Sequence, residues 1–246
     1  LGCAWWDCLM GNLLSAAAPV RQQVAVFSPL VDAVSAGGNG YSPASVPKYS
    51  GLADGDVLLA FWAGFETTST TWDVAWTLLD LHGSAAGAPD RSAKILWKVV
   101  SDAASEPATY EPSSVGSSSG AWGNTLTVVT LRGIDNTTPI DAFNTIEDDL
   151  DTATPVCPSL TTVTAGAYVF AFAMTSTNAD PVYVSNDNGG ALAAEEYRDA
   201  GTFDCSQVVV WFTQGTAGAT GDTTFTYTNA GGGWDWATTH VAVRPA

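Results

Sequence analysis

Basic residues are scarce in this chain of 246 residues, which has eight lysines and arginines together against 25 aspartates and glutamates. Its formal net charge at pH 7 is −17. A protein that binds a nucleic-acid backbone needs clustered Lys and Arg to replace the phosphate counterions, so we exclude nucleic acid as a partner. An anionic membrane surface is disfavoured for the same reason, and we expect no membrane partner.

Residues that carry catalysis are equally few. The histidines are His82 and His240. The Gly-x-Ser-x-Gly match at residues 116–120 (GSSSG) lies in a loop rich in Ser and Gly, and not in the strand-to-helix turn that presents a nucleophile. Motifs for phosphate loops and dinucleotide binding are missing too. We therefore predict no cofactor and no enzymatic activity. Glycoside hydrolysis is the alternative, because it needs only two acids at a suitable separation; the candidate acids are Glu66, Glu106, Glu195 and Glu196.

Cysteine is limited to Cys3, Cys8, Cys157 and Cys205, and no CxxC spacing occurs. We therefore predict no metal site. Cys3 and Cys8 are too close in sequence to bridge across a sheet. Cys157 and Cys205 flank the early strands of the second half, where either a disulfide or two buried thiols fits the sequence.

The chain is rich in residues that favour β-sheet, with many Val and Thr together with ten Trp, seven Tyr and nine Phe. Apolar, strand-like runs alternate with turns rich in Gly, Ser, Pro and Thr. This spacing predicts about five short strands in each half of the chain, which is typical of a sandwich.

Two tryptophans recur at one spacing, because Trp97 and Trp122 are followed 114 residues later by Trp211 and Trp236. Near the same offset, residues 55–61 resemble residues 166–172. We interpret this as a degenerate internal duplication, and the recurring tryptophans as equivalent core positions.

The predicted fold is therefore an all-β, antiparallel, jelly-roll-like sandwich built from two degenerate repeats, with a short apolar arm at the N-terminus. The predicted organisation is an arm at residues 1–20, a first β-rich half at 21–142 and a second at 143–246. The halves form either one composite sandwich or two similar lobes.

The N-terminal arm is unlike the rest of the chain. Trp5, Leu9 and Leu13 recur at helical spacing, with Trp6 beside them. One interpretation is a helix packed on its own domain. The other is a partner-docking arm that inserts Trp5, Trp6, Leu9 and Leu13 into a neighbouring subunit.

Other features also lack a counterpart in the other repeat. Trp72 and Trp234 lie beside loops, which makes them candidates for contact with a glycan, although core packing is the alternative. Residues 147–151 form an acidic run (EDDLD) that we expect to be a solvated loop.

Several segments resemble a β-sandwich module of bacteriophage virion proteins that also occurs in bacterial surface proteins. They are residues 55–60 (GDVLLA), 76–79 (WTLL), 96–100 (LWKVV) with 106–110 (EPATY), and 128–135 (VVTLRGID) with 139–141 (PID). The resemblance covers roughly residues 24–246. It implies a jelly-roll-like building or binding module of fibres or capsid decoration, and it implies no catalytic residues.

The expected function is thus a virion structural protein, either a capsid decoration protein or a subunit of a head or tail fibre. It would dock on a capsid or tail protein of the same particle, form a homo-oligomer and display its sandwich at the virion surface. A host-surface glycan is a further candidate partner there. The alternative is a secreted, extracellular carbohydrate-binding or adhesin module.

Overall fold

The computed structural model describes residues 28–39, 42–65, 71–73, 75–83, 91–114, 123–149, 154–177, 182–198, 204–228 and 236–246. These residues form antiparallel strands, turns and bends and contain no helix, which confirms the predicted all-β class. The predicted arm, with Trp5, Trp6, Leu9 and Leu13, lies outside the described residues, and so does Trp234.

The strands run through the whole described chain. In chain order they are β1 (Leu30–Asn39), β2 (Val46–Pro47), β3 (Val57–Phe65), β4 (Thr77–Gly83), β5 (Arg91–Val99), β6 (Thr109–Tyr110), β7 (Gly123–Leu131), β8 (Ile140–Phe143), β9 (Glu147–Asp149), β10 (Val156–Cys157), β11 (Thr161–Thr162), β12 (Ala167–Thr177), β13 (Val182–Asn186), β14 (Ala191–Arg198), β15 (Asp204–Gln214), β16 (Gly218–Ala219), β17 (Thr223–Thr228) and β18 (Trp236–Val243).

The described residues form two large sheets, the first from strands between residues 30 and 131 and the second from strands between residues 140 and 243. The first sheet has the strand order β4-β5-β3-β7-β1, and the second has the order β14-β15-β12-β18-β8, with β9 also paired to β18. Each central strand is apolar on both faces, as a strand covered on both sides must be. In β3, Leu59 and Phe61 face one core cluster and Leu58 and Trp62 face another.

The sheets pack face to face around a shared core. Leu59 and Phe61 of the first sheet lie in one cluster with Phe170 and Phe172 of the second. The rings of Phe61 and Phe172 stack with their centroids 5.4 Å apart. The fold is therefore an antiparallel β-sandwich, whereas its jelly-roll connectivity stays a prediction.

Smaller elements cover the outer faces of the sandwich. The pair β2–β6 and the chain around Trp72 and Trp76 cover the first sheet. The small sheet β10-β17-β13 covers the second, where Tyr227 stacks on Trp236 with ring centroids 4.5 Å apart. Trp236 is fully buried, as a core position requires.

Strand pairing in one sheet matches that in the other. Leu59 pairs with Trp97 and Val129. In the second sheet, Phe170 pairs with Trp211 and Val241. Trp97 and Trp211 both pack against the shared core. This correspondence supports the interpretation of the chain as a duplicated unit.

The irregularities of the strands correspond as well. The pairing of β4 with β5 shifts between Leu78 and Asp80, and the pairing of β14 with β15 shifts between Leu192 and Ala194, which lie 114 residues later. Such β-bulges bend an edge strand and end its regular ladder. Both halves thus have a bulge in the corresponding edge strand, and such a bulge hinders the edge from pairing with another chain.

The acidic run differs from its prediction. Residues 147–149 form β9 and pair with Thr238, Ala237 and Trp236 of β18. The prediction of a loop over these residues was wrong, because the hydrogen bonds that make them a strand come from a partner almost ninety residues away in the sequence. Residues 150–151 lie outside the described part of the chain.

Candidate aromatic binding cleft

A cleft opens on the outer face of the first sheet, between the part of the chain that holds Asp73 and Trp76 and the chain at residues 107–113. Its volume is about 290 Å³. Its lining combines aromatic, charged and hydroxyl side chains: Asp73, Trp76, Lys98, Pro107, Thr109, Tyr110, Glu111 and Ser113. We call it the Trp76 cleft. A few convergent polar groups around an apolar surface are typical of a ligand site.

Backbone hydrogen bonds join its walls. Thr71 N donates to Ser114 O at 3.2 Å, and Ser113 N donates to Thr71 O at 2.9 Å. A turn then presents Trp76, because Ala75 N donates to Asp73 Oδ1 at 3.1 Å and Trp76 N donates to Asp73 O at 3.0 Å. An Asp side chain that accepts from the backbone two residues on is a common way to fix such a turn.

Trp76 is held by three neighbours. Its ring meets Tyr110 edge to face, with centroids 5.8 Å apart and planes at 89°, and meets Trp72 at 5.7 Å and 66°. The ammonium of Lys98 lies 5.5 Å from the Trp76 ring centroid. Edge-to-face and cation–π contacts of this kind are favourable, so the half-buried Trp76 ring has a defined position.

The charge of Lys98 is already paired. Its Nζ lies 2.8 Å from each carboxylate oxygen of Glu106, and the two side chains are only 10% and 9% exposed. Burial, and then the negative charge of Glu106, raise the pKa of Tyr110 above its usual range. The Tyr110 phenol is therefore neutral near pH 7. The remaining charged groups of the lining are the exposed carboxylates of Asp73 and Glu111.

A larger cavity of about 450 Å³ lies beside Lys48, but its polar groups hold its own loop together. Lys48 Nζ donates to Ala103 O at 3.2 Å and to Glu106 O at 3.0 Å. Ala103 N donates to Asp54 Oδ1 at 2.7 Å. Hydrogen bonds from Ser105 to Asp102 lower the pKa of Asp102. These groups are engaged with the protein, so the smaller aromatic cleft is the better candidate.

The structure places one of the predicted glycan contacts beside this cleft. Trp72 is half-buried and contacts Trp76, and its buried Nε1 has no hydrogen-bond partner among the described residues. Its contact with a glycan stays a prediction. Sequence reasoning missed Trp76 itself. The sequence does contain a signal for Trp76, because the residue 114 positions later is Gly190. This tryptophan therefore does not recur as Trp97 and Trp122 do.

The acids proposed for glycoside hydrolysis make separate contacts. Glu106 pairs with Lys98, Glu195 Oε1 accepts from Tyr183 N at 2.7 Å, and Glu196 Oε2 accepts from Ser35 Oγ at 3.0 Å. Glu106 lies outside the first sheet, and Glu195 and Glu196 lie on β14 of the second. Glu66 lies outside the described residues.

His240 is fully buried and serves the core. Its Nδ1 lies 2.8 Å from Pro158 O, and since a carbonyl only accepts, Nδ1 carries the proton. Its unprotonated Nε2 accepts from Thr223 Oγ1 at 2.8 Å, and the same hydroxyl oxygen accepts from Asn188 Nδ2. Burial lowers the pKa of His240, so the ring is neutral near pH 7. This network ties β18 to β17 and to the chain after β10.

Cys157 and Cys205 are buried thiols that are not joined in a disulfide. Cys205 belongs to the core between the sheets, and Cys157 belongs to the cluster on the outer face of the second sheet. Of the two alternatives that the sequence allowed, the structure therefore has the two buried thiols.

Comparison with known proteins gives no match for this chain among family models, curated proteins or solved structures. Among the residues that the structure describes, no helix is long and apolar enough to cross a membrane. The same residues contain no group of three or more His, Cys, Asp or Glu side chains placed to hold a metal ion.

Proposed function

We propose that this chain is a non-enzymatic attachment module that binds carbohydrate in the Trp76 cleft. The observation that carries the proposal is the difference between the repeats at this place. Thr77 pairs with Trp97 and Ala191 pairs with Trp211, so the residues directly before them, Trp76 and Gly190, correspond. By the same register, Phe212 corresponds to Lys98. The shared core keeps a tryptophan in both repeats at positions 97 and 211. The sandwich therefore does not itself require a tryptophan at position 76.

The groups of the cleft suit a sugar. The flat face of an aromatic ring packs against the C–H groups of a pyranose, as it does against other apolar surfaces. Carboxylates accept hydrogen bonds from sugar hydroxyls, and the hydroxyls of Thr109 and Ser113 both donate and accept. Because the walls are joined by backbone hydrogen bonds, little ordering is needed on binding.

A matched pair of variants tests this proposal. Trp76→Ala removes the aromatic surface of the cleft, and Phe143→Ala removes a ring that is 43% exposed on β8 of the second sheet. On a glycan array, we expect the unmodified protein and Phe143→Ala to bind the same sugars, and Trp76→Ala to bind them at least about tenfold more weakly, or ~1.4 kcal/mol. Equal binding by Trp76→Ala would contradict the proposal.

We further propose that the module belongs to a virion, as a decoration protein or a subunit of a head or tail fibre. The family resemblance and the apolar arm support this second proposal. Trp5, Trp6, Leu9 and Leu13 would dock on a capsid or tail protein, the chain would form a homo-oligomer, and the sandwich would face outward. The alternative is a secreted extracellular adhesin that uses the same cleft.

Replacement of Trp5, Trp6, Leu9 and Leu13 by Ser tests the docking arm. We expect the variant to keep the circular dichroism spectrum and sugar binding of the sandwich but to be lost from purified particles. The control is Trp76→Ala, which should still assemble. An arm variant that is incorporated normally would exclude docking through these residues.

A further inference from the structure

The charges around the Trp76 cleft are unevenly distributed. Lys98 is the basic residue of its lining, but both oxygens of the Glu106 carboxylate lie 2.8 Å from the ammonium. At 10% and 9% exposure, this pair is largely removed from water. Separating it to offer Lys98 to a ligand would leave Glu106 buried and uncompensated, which is strongly unfavourable.

Asp73 and Glu111 carry the other charges of the cleft lining. Asp73 lies on the same wall as Trp76, and Glu111 lies on the opposite wall, directly after β6. Both residues are exposed at the cleft. A ligand between the walls therefore meets negative charge from both sides, without a free cation among the described lining residues to offset it.

We infer that the cleft selects uncharged sugars and rejects sugars that carry a carboxylate, and that Asp73 and Glu111 are the residues that determine this specificity. This inference rests on the proposed carbohydrate binding. Hydroxyl groups of a neutral sugar donate to the two carboxylates, whereas the carboxylate of an acidic sugar has no proton to donate near pH 7. Like charges at contact distance repel each other, and they do so more strongly near a protein surface than in bulk water.

The net charge of −17 acts in the same direction but through a different mechanism. It slows the approach of any anion from a distance and is screened by salt, with a Debye length of about 8 Å at physiological ionic strength. The local effect of Asp73 and Glu111 acts within the cleft. The two contributions can be separated by removing charges from different places on the protein.

The test uses the unmodified protein and two double variants that lose the same number of charges. Asp73→Asn with Glu111→Gln neutralises the cleft, and Asp187→Asn with Asp222→Asn neutralises exposed acids of the second half. The ligands are a neutral oligosaccharide that binds on the array and the same oligosaccharide with a terminal carboxylated sugar. Affinities are measured by calorimetry at about 0.15 M salt.

We expect the unmodified protein to bind the neutral ligand at least about tenfold more tightly than its acidic derivative. The cleft variant should lose most of this preference, and the second-half variant should keep it. If the unmodified protein binds both ligands equally, or if the second-half variant loses the preference as fully as the cleft variant, the specificity inference is wrong. Trp76-dependent binding would then leave the proposed function standing, whereas a complete absence of sugar binding would overturn both.

Discussion

At the scale of single residues, the Trp76 cleft depends on a charged pair that is almost removed from solvent. The ammonium of Lys98 contacts both the Trp76 ring and the Glu106 carboxylate. Cation–π contact and ion pairing therefore converge on one nitrogen atom. Lys98 therefore contributes to the positions of both the Trp76 ring and the Glu106 carboxylate.

Removal of this lysine should destabilise the protein. We expect Lys98→Met to lower the free energy of unfolding by about 3 kcal/mol, because it leaves Glu106 buried without its counter-charge. Adding Glu106→Leu to the same variant should restore most of the loss, since no uncompensated charge remains. Urea unfolding of both variants measures this. A loss below about 0.5 kcal/mol for the single variant would mean that the pair is solvated.

His240 makes a separate prediction about pH. Its pKa is lowered in the folded protein, so above about pH 6.5 both the folded and the unfolded states are neutral at this residue. As the pH falls below that value, the unfolded state takes up a proton first, and the free energy of unfolding decreases by up to about 1.4 kcal/mol per pH unit from this group.

Comparison with His240→Gln isolates that contribution, because the carboxylates titrate in both proteins. The difference in unfolding free energy between the two proteins should be constant above about pH 7.5 and should narrow between pH 6.5 and pH 5. Measurement is by urea unfolding at each pH. Parallel curves over the whole range would show that His240 is protonated in the folded state as readily as in the unfolded one.

At the scale of elements, the sequence predicted the strands that have their own apolar pattern. The central strands β3, β5, β12 and β15 are continuous runs of apolar and β-forming residues, and Trp97 and Trp211 identify two of them as counterparts. Strand β9 could not be predicted, since Glu147–Asp149 is polar and becomes a strand only by pairing with β18.

The turns before β3 and β12 require glycine. Gly55 and Gly166 have φ values of 85° and 78°, and each donates its N–H at 2.8 Å to a residue at the end of the neighbouring strand, Val100 O and Gln214 O respectively. A side chain in this left-handed region costs about 1–2 kcal/mol. The same backbone conformation therefore starts a central strand in both halves.

We expect Gly55→Ala and Gly166→Ala each to lower the free energy of unfolding by about 1–2 kcal/mol, and their effects to add because the two turns start different sheets. The control is Gly215→Ala, since an added Cβ there meets nothing within 4 Å. It should change stability by less than about 0.5 kcal/mol. Thermal unfolding measures all three variants, and equal losses in all of them would contradict the conformational argument.

At the scale of the whole molecule, the sheets are held together at both edges. Ser35 Oγ on β1 donates to Glu195 O on β14 at 3.1 Å, and Ile146 N beside β9 donates to Asp80 Oδ2 on β4 at 2.6 Å. Edge strand β1 of the first sheet thus faces edge strand β14 of the second. At the other edge, β4 of the first sheet faces the chain beside β9. Together with the shared core, these contacts make either half incomplete alone.

Unfolding should therefore be a single transition. We expect one calorimetric peak, with a calorimetric enthalpy close to the van't Hoff enthalpy, because neither sheet can keep its apolar face buried without the other. Differential scanning calorimetry of residues 21–246 provides the measurement. Two separated transitions would show that the halves behave as independent lobes.

The candidate site was less predictable than the fold, for a physical reason. A tryptophan beside the start of a strand has the same sequence pattern whether it fills a core or lines a cleft. Trp76 lines the cleft only because Tyr110 and Lys98, from other strands, approach it from two sides. Trp72 was noticed from its sequence context, but the cleft beside it depends on contacts that a linear pattern does not contain.

Pro29 and Ala246 form hydrogen bonds with two adjacent residues of the chain after β7. Pro29 O accepts from Arg132 N at 2.9 Å, and Ala246 N donates to Gly133 O, on the next residue, at 3.0 Å. A short linker could therefore join these two positions, and the chain could be opened instead at the turn between β13 and β14. Such a circular permutant would keep every strand pairing of the sandwich while changing the order in which the strands are made.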